Sequence, residues 1–380
     1  MKKILIFNSL YAPDGKGGAE RSTQILAESL VKSGFEVLVV CTAKKDIEEN
    51  IDSVQVKRIA GLNIAHLDDL YKLNIFQKFL WHFIDAFNLK SILKINPILK
   101  EFDPDIIHTN NLTGFSCTIW LLAKINKIKI IHTLRDYYLV SVGSANANRP
   151  LSDFLFKSHI KMMANFVDYV VGNSKFILDF HIDKGFFKNA KKNIVFNAFV
   201  PKNVSEKKYE KKYLFLGTLT DEKGIDLLCR AFEELNNDGY DICLYVAGEG
   251  DRRYTKSLIH KYESQYIKFI GYIDSSNAYN LCSWVIVPSI WDEPLSRTCF
   301  EPLFYGVPVI SSDAGGNKEV IMPNKNGLIF LRNNIQDLKH KIIDSLSVDY
   351  KEFSKNALMT SNKFTTERLT ANYKKIYEEI

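Results

Sequence analysis

Trp291-Asp292-Glu293-Pro294-Leu295-Ser296-Arg297-Thr298-Cys299-Phe300-Glu301-Pro302-Leu303-Phe304-Tyr305-Gly306-Val307-Pro308-Val309-Ile310 is the stretch on which the fold turns. The apolar run Val285–Pro288 reads as a strand before it, and Val307–Ser311 as a strand after it. Between them the chain has room for a loop and a short helix containing Glu301. A strand, a covering helix and a further strand make a parallel unit. Two glutamates stand eight positions apart in it, Glu293 on the loop and Glu301 in the predicted helix. Carboxylates at such a strand end can accept hydrogen bonds from sugar hydroxyls. Ser296, Arg297 and Thr298 open the predicted helix, where backbone N–H groups can hold a phosphate. Asp313-Ala314-Gly315-Gly316, with Glu319, makes another tight turn after the next strand.

The same alternation extends outward. Tyr213–Leu216, Ile242–Ala247 and Ile267–Ile270 are predicted strands, each followed by a helix. In the first half Ile4–Asn8, Phe35–Cys41, Ile106–His108, Lys129–Thr133 and Tyr169–Val171 read the same way. Glu20–Lys32 has Ile25, Leu26, Leu30 and Val31 at helical spacing and is closed by Gly34. Pro201–Lys212 is polar and highly charged, which suits a linker. The class is therefore α/β, with two doubly wound Rossmann-like domains. In such sheets the ligand crevice lies beyond the carboxyl ends of the strands, and two domains facing each other would enclose a cleft.

The 380-residue length fits two domains. A composition of 46% hydrophobic and 25% charged residues excludes disorder and collagen-like repeats. The net charge of +6 is too mild for a dedicated nucleic-acid binder. It is also uneven: residues 1–199 hold 26 basic and 19 acidic residues, whereas 200–380 hold 24 and 25. An anionic partner of the first half and mere compositional drift both fit this. Residues 70–102 interleave Tyr71, Phe76, Phe79, Trp81, Phe83 and Phe87 with Lys72, Lys78, Lys90, Lys94 and Lys100. That pattern fits a basic aromatic face for anionic lipid, or a pair of core-packing helices with solvated lysines. Cys41, Cys117, Cys229, Cys243, Cys282 and Cys299 lack metal spacing and read as buried free thiols. No run of 18 apolar residues occurs, and Met1–Phe7 reads as a buried first strand rather than a signal peptide. A cytoplasmic protein is expected.

Pro13-Asp14-Gly15-Lys16-Gly17-Gly18-Ala19-Glu20-Arg21 forms the first strand-to-helix turn, where glycines let backbone N–H groups approach an anion. The segment Val40-Cys41-Thr42-Ala43 has no acid after the second strand, which counts against a dinucleotide. No Gly-Lys-Ser/Thr of a Walker loop occurs. The D-x-D triplet, Asp103-Pro104-Asp105, precedes a strand and reads as a helix-to-strand turn.

The Glu293–Glu301 array resembles the E-x7-E signature of the family 4 retaining glycosyltransferases, which have the GT-B fold. Gly17-Gly18-Ala19-Glu20, Asp105-Ile106-Ile107-His108, Gly217-Thr218-Leu219-Thr220-Asp221-Glu222-Lys223-Gly224, Ala247-Gly248-Glu249-Gly250, Phe269-Ile270-Gly271, Pro288-Ser289 and Asn326-Gly327-Leu328 follow the family's order. The resemblance implies an N-terminal acceptor domain over 1–199, joined by a crossover helix within 364–380, and a donor domain over 212–363. That helix would tie the halves and leave a hinge for closure. The resemblance also implies that Glu301 binds the donor ribose and Glu293 sits beside the donor sugar. Lys223 would neutralise the diphosphate, with Thr218, Ser296, Arg297 and Thr298 around it. Gly17 and Gly18 would approach the donor, and neither metal nor cofactor is expected.

Three positions depart from the family pattern. Thr218 stands where many members have Arg, and Ser296 where many have Gly. In His132-Thr133-Leu134-Arg135-Asp136, Arg135 replaces a His found near the reaction centre. Arginine stays protonated and cannot be a general base, so Arg135 and Asp136 are expected to orient phosphate or acceptor. His108 and His132 are expected to be structural.

The implied activity is transfer of a sugar from a UDP- or GDP-sugar to an acceptor hydroxyl with retention. The acceptor would be a bacterial surface polysaccharide or lipid-linked glycan. A nucleotide-sugar epimerase or hydrolase of the same fold, and a non-catalytic sugar-nucleotide binder, are the other readings. Donor base, sugar and acceptor depend on segments such as Ser141–Pro150 and the surroundings of Tyr272.

Overall fold

A computed structural model describes residues 2–15, 17–140, 158–205 and 208–380; the segment Ser141–Pro150 lies outside them. The chain divides into two compact units, Met1–Ala198 with Thr366–Ile380, and Phe199–Thr365.

Among the described residues the first unit carries an eight-stranded sheet. Its strands are β1 (Lys3–Phe7), β2 (Glu36–Thr42), β3 (Ile47–Ile51), β4 (Val54–Ile59), β5 (Ile106–Thr109), β6 (Lys129–Leu134), β7 (Tyr169–Gly172) and β8 (Lys191–Ile194). Their order is β3-β4-β2-β1-β5-β6-β7-β8, parallel except for the antiparallel β3–β4 hairpin. Helices α1 (Gly18–Lys32), α2 (Ile75–Ala86), α3 (Leu89–Phe102) and α4 (Thr118–Ile125) belong to this unit. Ile4, Leu5, Ile6 and Phe7 of β1, which follow Lys3, are apolar and fully buried because both faces of the sheet are covered. Ile4, Ile6, Leu26, Leu30 and Val39 lie at the centre of the core.

Chain order reverses at β1, with β2 on one side and β5 on the other, so the first turn and the end of β5 open on one crevice. The helix Thr366–Glu379 packs into this same unit through Tyr373 and Tyr377. The Tyr377 hydroxyl meets His108 Nδ1 at 2.7 Å, His108 Nε2 meets Thr133 Oγ1 at 2.7 Å, and Tyr373 meets that oxygen at 2.9 Å. Burial, and then the charge of Arg135, push His108 down to about 3, so it is a neutral, fully engaged structural histidine.

The second unit carries, among the described residues, a six-stranded parallel sheet in the order β11-β10-β9-β12-β13-β14. These strands are β9 (Lys212–Leu216), β10 (Cys243–Ala247), β11 (Ile267–Gly271), β12 (Trp284–Val287), β13 (Val309–Ser312) and β14 (Gly327–Phe330). Tyr213, Phe232, Trp284 and Ile310 fill its core. Here the order reverses between β9 and β12. The turn after β9 carries Lys223 and the loop after β12 carries Glu293.

The structure departs from the predicted elements at several points. The helix expected to contain Glu301 is a pair of 3-10 turns, Arg297–Cys299 and Glu301–Tyr305. Pro302 lacks an N–H, and Gly306 closes the turn in the left-handed region at φ 64°. The tight turn read after β13 is a 3-10 turn, Gly315–Glu319. The hairpin β3–β4, with positive φ at Asp52 and Ser53, and the short strands β8 and β14 were not anticipated.

Candidate active site

In the second unit the turn Asp221–Lys223 ends at Gly224, whose φ is +70°. A Cβ at Gly224 would stand 2.1 Å from the Pro288 carbonyl oxygen, so only glycine lets this turn press against the end of β12. The Ile290 N–H donates to the Glu222 carbonyl at 2.9 Å and joins the two segments. Lys223 Nζ then reaches Glu293 Oε1 at 2.5 Å. The same oxygen accepts from Ser289 Oγ at 2.8 Å and from Trp291 Nε1 at 3.1 Å. Lys223 also lies 5.8 Å from the centre of the Trp291 ring. The Glu293 side chain is only 6% exposed, against 28% for Lys223, so the pair opens to solvent on the lysine side.

Glu301 is buried as well. Its Oε1 accepts from Arg297 Nε at 2.5 Å and its Oε2 from the Tyr279 hydroxyl at 2.9 Å. Burial, and then the neighbouring Glu301, hold the Tyr279 hydroxyl well above the usual tyrosine range, so it remains a donor. A carboxylate offers about four lone-pair positions, so Glu301 retains acceptor capacity for a further partner. The backbone of this loop is pinned from the β13 side. Gly315 N donates to Asp292 Oδ1 at 2.9 Å, and Gly316 N to the Glu293 carbonyl at 2.8 Å.

One expectation fails here. The Ser296 N–H, read as a phosphate donor, already bonds Asn317 Oδ1 at 2.9 Å, and Ser296 Oγ pairs with Thr298 Oγ1 at 2.8 Å. Thr218 is exposed on the turn after β9. Ser289, Tyr279 and Asn317 were given no role in the sequence reading. Tyr279 stands 22 positions from Glu301, on a helix whose pattern carries no chemical signature.

In the first unit Gly17 is the N-cap of α1, and Gly17 and Gly18 are exposed. A Cβ on Gly17 would lie 2.3 Å from Glu20 Oε2, because Glu20 folds back over its own helix start. Burial, and more weakly Asp136, raise the Glu20 carboxyl above its ordinary value. The place expected for a ligand anion is thus already lined by a carboxylate. Arg58, absent from the sequence reading, braces the approach to this turn. Its Nη1 meets Asp14 at 2.9 Å, its Nη2 bonds the Ala12 carbonyl, and its Nε bonds Glu49.

Arg135 follows β6 and is buried, with Nε donating to Asn110 Oδ1 at 3.0 Å. Asp136 accepts from Asn111 Nδ2 at 2.8 Å and from the Tyr138 N–H at 2.9 Å. Burial raises its carboxyl above the ordinary value. His132 packs between Trp120 and Phe187, with Nδ1 on Thr109 Oγ1 at 2.8 Å, and burial pushes it well below the usual histidine range. Asp105 Oδ2 accepts from the Lys3 N–H at 2.7 Å and Asp103 caps α3, so the D-x-D triplet is a helix-to-strand turn.

Two doubly wound sheets, parallel apart from the β3–β4 hairpin, make up the architecture of the GT-B fold. Two family descriptions match in tandem: Glycosyltransferase Family 4 over residues 16–199 and glycosyl transferases group 1 over 197–359. The chain belongs to the family 4-type glycosyltransferases of the GT-B fold. It is 35% identical to an "uncharacterized 42.6 kDa protein in cps region" of Klebsiella pneumoniae, over 99% of both chains. It is 30% identical to the O-antigen biosynthesis glycosyltransferase WbnH of Escherichia coli, over 45% of this chain and 48% of that one. Among solved structures, sucrose-phosphate synthase of Thermosynechococcus elongatus superposes with a TM-score of 0.79 at 18% identity, covering 100% and 99% of the chains. Anabaena HepE in complex with UDP does so at 0.75 and 17%, covering 100% of each.

Proposed function

We propose that this glycosyltransferase moves a sugar, with retention, from a UDP- or GDP-linked donor to an acceptor hydroxyl of a lipid-carried surface glycan. The observation that carries the reading is the pair of engaged glutamates around the β9–β12 switch point. Glu301, oriented by Arg297 and Tyr279, would accept from the ribose hydroxyls. Lys223 would leave Glu293 for the diphosphate as negative charge develops on the leaving group. Glu293, anchored by Ser289 and Trp291, would then border the donor sugar. Thr298, Arg297 and Thr218 would line the donor, with Ser296 acting through its hydroxyl rather than its N–H.

The sugar–phosphate C–O bond breaks and a sugar–acceptor C–O bond forms on the same face. The acceptor proton passes to the departing phosphate oxygen, so no side-chain base is required. Arg135, permanently charged, would hold phosphate or acceptor together with Asp136. Gly17 and Gly18 would meet the donor from the first unit, which would also carry the acceptor. No metal is invoked, because Lys223 supplies the positive charge.

The presence of UDP-glucose in a HepE complex supports a UDP-linked donor. The cps-region relative and WbnH support a surface-polysaccharide acceptor. Contact with the lipid-borne acceptor would be peripheral, on the cytoplasmic face; no helix among the described residues is long and apolar enough to cross a membrane. The test is nucleotide release from UDP- and GDP-sugars in chelator, with and without lipid-linked acceptors, followed by the product's anomeric configuration. Acceptor-dependent release with the donor's anomer retained is expected. Full release without acceptor would assign the chain to the hydrolase or epimerase reading, and an inverted product would overturn retention.

A further inference from the structure

Helix α2 turns apolar residues toward solvent. Phe76 is 82% exposed, Phe79 55% and Phe83 49%, with Ile75 and Leu80 also exposed. Residues 76, 79, 80 and 83 recur at the spacing of a single helix face. Two residues advance a helix by about 200°, so Trp81 and Asp85, each two positions from Phe83, lie across the helix and are buried. Trp81 anchors that inner face by donating from Nε1 to the Ala65 carbonyl at 2.8 Å. A capping box between Asn74 and Gln77 fixes the helix start. The helix that carries the stripe is thus capped at its start and anchored along its inner face.

Its surroundings are cationic. Lys78, Lys90 and Lys100 have no ion-pair partner among the described residues. Of the nearby acids, Asp69 is held by Lys44 and Lys72 and Glu101 by Lys57, while Asp68 lies beside His66. Leu89 and Leu93 add exposed apolar surface on α3. A second copy seated on the same face would bring like charges together, whereas anionic headgroups neutralise them.

The inner face of α2 has a different task. Asp85 Oδ1 accepts from the Gly114 N–H at 2.6 Å and Oδ2 from the Tyr138 hydroxyl at 2.8 Å. The Tyr138 N–H in turn donates to Asp136 at 2.9 Å. We propose that α2 is an interfacial docking helix, with Ile75, Phe76, Phe79 and Leu80 entering an anionic lipid surface and Asp85 coupling it through Tyr138 to the Arg135–Asp136 segment. The coupling rests on the glycosyltransferase reading; the docking does not. Asp85 and Tyr138 are positioning residues, acting through Asp136.

The full chain is mixed with phosphatidylcholine vesicles, with or without phosphatidylglycerol, and floated. The parent is expected to float with the anionic vesicles, less at high salt, and not with neutral ones. Phe76→Ser with Phe79→Ser should abolish flotation at unchanged melting temperature. Lys78→Gln with Lys90→Gln should weaken vesicle affinity about thirtyfold. Tyr138→Phe should float like the parent but lose the vesicle-dependent rise in nucleotide release. Equal flotation on neutral vesicles, or flotation by the serine variant, overturns docking. A dimer that the serine variant dissolves assigns the face to a second copy and also overturns it. Turnover that vesicles leave unchanged in the parent overturns the coupling. A chain that floats yet releases nucleotide from no donor leaves docking standing and defeats the glycosyltransferase mechanism instead.

Discussion

In the second unit the charged side chains hold one another, Lys223 against Glu293 and Arg297 against Glu301. In the first unit Arg58 is ion-paired to Asp14 and Glu49, but the groups after β6 bond neutral side chains and backbone. Asn110 meets Arg135, and Asn111 and Tyr138 meet Asp136. The difference matters because removing one member of a buried ion pair strands the other charge, whereas removing a neutral brace costs one hydrogen bond. Substitutions in the second unit should therefore be severe, and those after β6 graded.

Lys223→Ala should give the largest effect. It removes the cation proposed to meet the leaving group and strands Glu293, so kcat should fall by about 100- to 1,000-fold. An unchanged kcat would remove Lys223 from the reaction and break the contrast. Arg135→Ala should raise the KM of one substrate by about tenfold, roughly 1.4 kcal/mol, with Lys unable to restore it. Unchanged turnover and unchanged KM for both substrates would show that the first-unit cation has no functional task.

Asp85 sharpens the contrast through pH. Burial holds its carboxyl up at about 7, against an ordinary 3.8. A carboxyl raised on folding favours the folded state while both states are protonated, and that contribution is lost as pH rises from about 4 to about 7. Asp85→Asn keeps an acceptor for Gly114 without the charge. It should flatten this loss and leave the variant more stable than the parent above pH 7, by about 1–3 kcal/mol. A parallel fall in both proteins, followed by melting temperature against pH, would contradict the assignment. The smallest effect is expected from Trp291→Phe, which removes one hydrogen bond to Glu293 but keeps a ring beside Lys223. A loss of about 1 kcal/mol in transition-state stabilisation is expected from kcat/KM.

The second unit was the more legible of the two. Glu293, Glu301 and Lys223 are charged residues on turns bounded by glycine and proline, so local sequence marks both their type and their place. The first unit's supports are scattered over distant segments. Asn110, Tyr138 and Asp85 meet the Arg135–Asp136 segment only when β5, β6 and α2 pack, Arg58 meets Asp14 and Glu49 only when β4 joins the sheet, and no spacing in the chain announces either. The helix expected around Glu301 failed because Pro302 and Gly306 confine it to a 3-10 turn. The Ser296 N–H failed as a phosphate contact because its partner, Asn317, arrives from beyond the next strand. The aromatic stripe of residues 70–102 could be read, but which face α2 buries could not, since Trp81 and Phe83 are equally apolar.

Donor binding by the parent and by Glu301→Ala, followed as thermal shift across a panel of UDP- and GDP-sugars, tests the central claim most directly. A donor at 100 times its dissociation constant stabilises by about 2.7 kcal/mol. The account predicts a raised melting temperature with at least one donor sugar in the parent and none in Glu301→Ala, with the variant still folded. No shift with any nucleotide sugar in the parent, or an equal shift in both proteins, would contradict it.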